Sequence, residues 1–124
     1  MMNKYELTRG RGRTRVDLSA HAFGTDIIVT IYNSNAHIGA VALGEYDHDT
    51  QRASVSMITR LGHKDDAIAQ RAAYLISKSF QKPVCVIAGV HLDDITLPEI
   101  KTLVNNAILA VESFIEISKS DYPT

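Results

Sequence analysis

The order of apolar and polar positions divides the chain into a strand-rich first half and a second half of helix, strand and helix. Asn3 to Arg9 reads as a strand, and Gly10-Arg11-Gly12 as a turn whose glycines tolerate positive φ. In Arg13 to Ala20, Thr14, Val16 and Leu18 alternate with Arg13, Arg15 and Asp17, which completes a half-exposed hairpin. Thr25 to Tyr32 is β-branched and almost continuously apolar, the pattern of a central strand buried on both faces. After the Asn33-Ser34-Asn35 turn, Ile38 to Gly44 and Ala53 to Ile58 predict a second hairpin.

From His63 to Phe80 the residues Ala67, Ile68, Ala72, Leu75, Ile76 and Phe80 recur at helical spacing. Pro83 stops that helix, and the apolar run from Pro83 to Gly89 predicts a buried strand. Thr96-Leu97-Pro98-Glu99 has the form of a capping box, and Ile100, Leu103, Val104, Ala107, Ile108, Val111, Phe114 and Ile115 trace the stripe of a long second helix. The predicted fold is a single α/β domain of the α+β type. It has a mostly antiparallel sheet from N-terminal hairpins plus one buried strand, and two amphipathic helices packed on one face. The second stripe is wide enough for both a core and a subunit contact, so a homodimer through a helix or a sheet edge is expected. The polar tail from Ser118 to Thr124 is expected to fray.

Composition narrows this picture. A chain of 124 residues, 45% hydrophobic, holds one core, and burial of roughly two-thirds of the unfolded surface at this size removes the need for disulfides. Cys85, in an apolar run, reads as a small buried thiol, which favours a reducing compartment. The start Met1-Met2-Asn3-Lys4 has no apolar h-region, and no apolar stretch approaches the ~20 residues of a membrane span, so a cytoplasmic protein is expected. A net charge of −1 with intermixed signs gives no general attraction to nucleic acid, and any anion site must be local.

Walker, dinucleotide-binding, zinc-finger and serine-hydrolase patterns do not occur. Three short motifs remain, each with a histidine beside a glycine at a strand end or helix start: Ala36-His37-Ile38-Gly39-Ala40, Leu61-Gly62-His63-Lys64-Asp65-Asp66 and Gly89-Val90-His91-Leu92-Asp93-Asp94. Such ends gather on one edge of an open sheet, where ligands bind. At the second motif a helix start, Lys64 and His63 make a phosphate-sized anion site, against the plainer reading of a solvated first turn in which Asp65 and Asp66 complement the dipole. Gly39 and Ala40 would let a ligand approach the backbone, and Asp93 or Asp94 stands near enough to orient His91. His37, His63 and His91 also match a metal-ligand inventory, with Asp94 or Asp65 as base, which is the alternative of a small metal-dependent enzyme. The run Arg9-Gly10-Arg11-Gly12-Arg13-Thr14-Arg15 reads as a solvated hairpin in preference to a phosphate patch.

Those motifs, with Gly12-Arg13-Thr14-Arg15-Val16, Asp26 to Ile31, His37 to Ala42, Ile95-Thr96 and Glu99-Ile100, resemble the small LpdD-type proteins encoded beside UbiD-family decarboxylases. The chain departs from that pattern at Ala36, where proline is expected, and at Asp94, where asparagine is expected. The resemblance implies a protein that binds prenylated flavin mononucleotide (FMN), made by a UbiX-type flavin prenyltransferase, and helps mature a UbiD-type decarboxylase without catalysis of its own. Matched motifs and physical reading together give His37, Gly39, Ala40, His63, Lys64, Asp65, Gly89, His91 and Asp94 as the cofactor-binding set. A noncatalytic accessory subunit of a decarboxylase complex is the remaining alternative.

Overall fold

The apolar alternation of the first half becomes an antiparallel meander of β1 (Tyr5–Arg9), β2 (Val16–Phe23) and β3 (Asp26–Tyr32), in a computed structural model that describes residues 4–60 and 63–122. The side chains of His63 and Lys64 lie outside that description. β4 (Ala40–Asp47) and β5 (Arg52–Thr59) form the second hairpin, and β6 (Val84–Gly89) enters between the two sets, parallel to β3 and antiparallel to β4. The sheet therefore runs β1-β2-β3-β6-β4-β5. This is the α+β arrangement that the sequence predicts.

Two helices, α1 (His63–Phe80) and α2 (Leu97–Ser118), lie on the same face of the sheet. Against them the strands present Val16, Leu18 and Ala20, then Ile27, Val29 and Ile31, then Val84, Val86 and Ala88, all at or near zero exposure. Under α1 the strand side is small, Ala40, Ala42 and Gly44, and the helix answers with Ala69, Ala72 and Ala73. A Cβ at Gly44 would lie 2.5 Å from the Ala73 carbonyl oxygen, so the helix rides directly on backbone there. The α2 start carries both halves of its capping box: Glu99 N–H donates to the Thr96 hydroxyl at 3.2 Å, and Thr96 N–H donates to Glu99 Oε1 at 3.0 Å.

Expectations about burial need correction. β3 is covered on one face only: Ile28, Thr30 and Tyr32 are half-buried on the face away from the helices. A continuous β-branched run reports strand preference, and it does not say whether a second layer exists. Cys85 shares this open face and is partly exposed, not enclosed. The tail also departs from its polar appearance, because residues 119–121 form a short 3-10 turn that brings Tyr122 into the core, 4.9 Å between ring centroids from Phe80.

Candidate functional site

β3 and β6 are the parallel pair, and the segments that leave their carboxyl ends meet at one edge of the sheet. The first, residues 33–39, opens with a turn in which Ala36 N–H donates to the Asn33 carbonyl at 3.1 Å. Asn33 then clamps the second segment with its side-chain amide. Its Nδ2 donates to the His91 carbonyl at 2.9 Å, and its Oδ1 accepts from His91 N–H at 3.2 Å. With 6% exposure this amide has exchanged water for backbone partners and fixes the spacing of the two segments.

The same register brings the rings of His37 and His91 to 5.4 Å between centroids. Gly89 makes the approach possible, since a Cβ there would sit 1.5 Å from the His37 carbonyl oxygen. Gly39 N–H donates to the Ala88 carbonyl at 2.9 Å and ties the loop down. His91 Nε2 pairs with Asp93 Oδ1 at 3.0 Å. Asp94 is exposed and has φ of 51°, a left-handed backbone that Asn and Asp tolerate better than other side chains.

Asp65 holds this edge from the helix side. Its carboxylate is 1% exposed, and Oδ1 accepts the Val90 N–H at 3.0 Å. A Cβ on Gly39 would stand 1.9 Å from Oδ2, so Gly39 leaves room for the carboxylate itself. Ala40 turns its methyl group into the helix layer, away from the open face. Of the nine candidates, the structure brings His37, Gly39, Gly89 and His91 together, places Asp94 in the adjoining loop, and sets Asp65 and Ala40 behind them. The anion site expected at His63 and Lys64 rests on side chains outside the described residues. Among the described residues no three His, Cys, Asp or Glu side chains group as metal ligands.

Two cavities share residues 30–38 as a wall. One, about 270 Å³, lies on the open sheet face among Thr30, Tyr32, His37, Ile38, Ile87 and Gly89. The other, about 660 Å³, lies between Arg13, Arg15 and Asp17 on one side and Asn33, Ser34 and Asn35 on the other. Sequence reasoning treated the arginines here as a solvated hairpin. Arg13 is pinned instead: its Nε meets Glu99 at 2.7 Å, and its guanidinium donates to the Asp93 carbonyl at 2.9 Å. The Arg13 bond, with the Thr96 N–H, holds the Glu99 carboxyl well down, at about 2. Among the described residues Arg15 gives only its Nε, to Asp17 at 3.1 Å. Tyr32 and Asn33 were also missed, and spacing gave no signal for either, since both owe their place at this edge to contacts with the chain at and beyond Gly89.

The sequence profile of the prenylated flavin chaperone LpdD-like domain matches residues 10–119. The chain belongs to the LpdD-like family of prenylated-flavin chaperones. No curated protein matches it. Among solved structures, the LpdD-like chain is similar to one from yeast described as "a Novel Chaperone Complex for Yeast 20S Proteasome Assembly". The two share 17% identity over 98% of each chain with a TM-score of 0.63, which establishes a common fold.

Proposed function

We propose that this LpdD-like protein binds prenylated FMN at the edge where residues 33–39 meet residues 89–94. There it carries the cofactor from a UbiX-type prenyltransferase to a UbiD-type decarboxylase, as a noncatalytic cytoplasmic homodimer. The observation that carries this reading is the pair of cavities along residues 30–38. One has an apolar and aromatic wall suited to a flavin ring, with Tyr32, Ile87 and His37, whose ring is backed by that of His91. The other has Arg15 and a polar turn suited to the ribityl phosphate end. Arg13 shapes that second cavity through Glu99 while its own charge is balanced. Lys64 and His63 at the start of α1 remain the other candidates for the phosphate.

A carrier must release its cargo, and a shallow site at an exposed edge favours moderate affinity and rapid exchange. The test is anaerobic mixing with prenylated FMN, gel filtration and the visible spectrum of the protein peak. Wild type should retain flavin, while His37→Ala and Arg15→Ala should lose it. Lys64→Ala separates the two phosphate positions. No retention by wild type would overturn the carrier reading and favour an accessory subunit, which would co-purify with a decarboxylase without flavin.

A further inference from the structure

The face of the sheet away from the helices is apolar at its centre and carries no second layer among the described residues. Register aligns two rows across it: Ser19, Thr30, Ile87, Val41 and Ile58, and beside them His21, Ile28, Cys85, Leu43 and Ser56. Leu43 is 44% and Ile58 77% exposed. From β2 to β5 neither row holds an acidic or Lys/Arg side chain, and the first row ends on Glu6 of β1, opposite Ser19. Charges on this face flank these rows: Glu6 pairs with Lys4 and Asp17 with Arg15, Asp47 stands opposite Arg52, and Asp26 and Glu45 lie in the row beyond Ile28 and Leu43. An uncharged centre inside a polar rim is the anatomy of a protein interface.

We infer that this face is the contact between two copies of the chain, and that the second copy closes the flavin-ring cavity. Six strands of five to eight residues offer roughly 650–700 Å² on one face at ordinary strand spacing, near the ~800 Å² per partner of a standard interface. Two such faces reach the total that a stable dimer needs. A second copy fits better than a client enzyme because a carrier parts from its client, and an apolar face this large needs cover in the interval. With no net charge at its centre, the face is complementary to itself about a two-fold axis. The closure, which rests on the carrier reading, is argued from size and position. The ring cavity lies on this same face, and about 270 Å³ is below the ~300 Å³ at which enclosed ligand pockets begin. A facing copy supplies the missing wall.

Sedimentation of the full chain without flavin tests the contact. Wild type should run at twice 13.6 kDa, and Leu43→Asp should raise the dimer dissociation constant by about 100-fold or more while circular dichroism stays unchanged. Leu109→Asp, on the exposed side of α2, should leave the dimer intact. Cys85 should react slowly with a thiol reagent in the wild-type dimer and rapidly in Leu43→Asp. A wild-type monomer, or a dimer indifferent to Leu43→Asp with Cys85 freely reactive, overturns the contact. Flavin retention is read separately. A dimer in which neither wild type nor Leu43→Asp retains prenylated FMN leaves the contact standing and removes the carrier reading. Monomeric Leu43→Asp that retains flavin as well as wild type overturns the closure alone.

Discussion

Gly89→Ala is the substitution whose consequence comes most directly from the geometry. The added methyl carbon would lie 1.5 Å from the His37 carbonyl oxygen, where real contacts begin at about 3.0 Å. Either loop or strand must therefore move by about 1.5 Å, and both are backbone, with no rotamer to yield. The loop is held by the Gly39 N–H bond to Ala88, by Arg60 N–H on the Gly39 carbonyl at 2.8 Å, and by the Arg60 guanidinium on the Ile38 carbonyl at 2.9 Å. Losing one of these costs about 1 kcal/mol, and overpacking adds about 1–3 kcal/mol. For a domain of this size a total of about 2–4 kcal/mol lowers Tm by roughly 6–20 °C. Thermal unfolding followed by circular dichroism reads that loss, and flavin retention should fall with it because His37 leaves His91. Gly12→Ala is the control: Gly12 has φ of 64° and open space around its Cβ, so only the backbone penalty of about 1 kcal/mol applies. A Gly89→Ala protein melting within about 2 °C of wild type, or no lower than Gly12→Ala, would refute the close packing of this loop on β6.

Three further outcomes are expected. Asp65→Ala strips the Val90 N–H of its buried acceptor and should destabilise by about 1–3 kcal/mol in urea unfolding, with an effect below 0.5 kcal/mol counting against its role as a clamp. Burial, with the charges of Tyr5 and Asp121 behind it, pushes the Tyr122 phenol up to about 12 from an ordinary 10.0. The neutral phenol thus favours the fold fully below pH 10, and that contribution is lost as pH rises through the interval to about 12. The Tyr122 hydroxyl has no hydrogen-bond partner among the described residues, so Tyr122→Phe should fold at least as well and show a flatter alkaline limb. Glu99, held at about 2 against an ordinary 4.5, contributes stability that is present above pH 4.5 and lost as pH falls through about 2. Glu99→Gln should remove that acid dependence, and an unchanged acid limb would place the Arg13 contact outside the energetics of folding.

Periodicity was enough to locate both helices, because each has a breaker or cap that physics reads locally: Pro83 after α1 and the Thr96–Glu99 box before α2. It was also enough to pair the two hairpins, β1 with β2 across Gly10 and Gly12 and β4 with β5 across the polar turn at residues 48–51. What local pattern could not reveal was the insertion of β6 between β3 and β4, since a buried strand's neighbours are chosen by tertiary packing. The site suffered from the same limit. His37 and His91 share an edge only through that insertion, and Arg15 faces Asn35 across a cavity that no spacing rule describes. Asp65 showed the reverse case: its position at a helix start suggested ligand chemistry, and its burial against Val90 gives it structural work at the same place.

The strand order also sets a sequence of events during synthesis. The meander of β1 to β3 and the hairpin of β4 and β5 are complete by residue 59, yet no hydrogen-bonded ladder joins them until β6 has been made. Until residue 89 emerges, the nascent chain holds two partial sheets with unpaired inner edges, and a single six-residue strand converts them into one. A chain stalled or cut within α1 would therefore expose two hydrophobic edges to whatever strand arrives first, which makes the 84–89 segment the step at which folding and aggregation of this protein diverge.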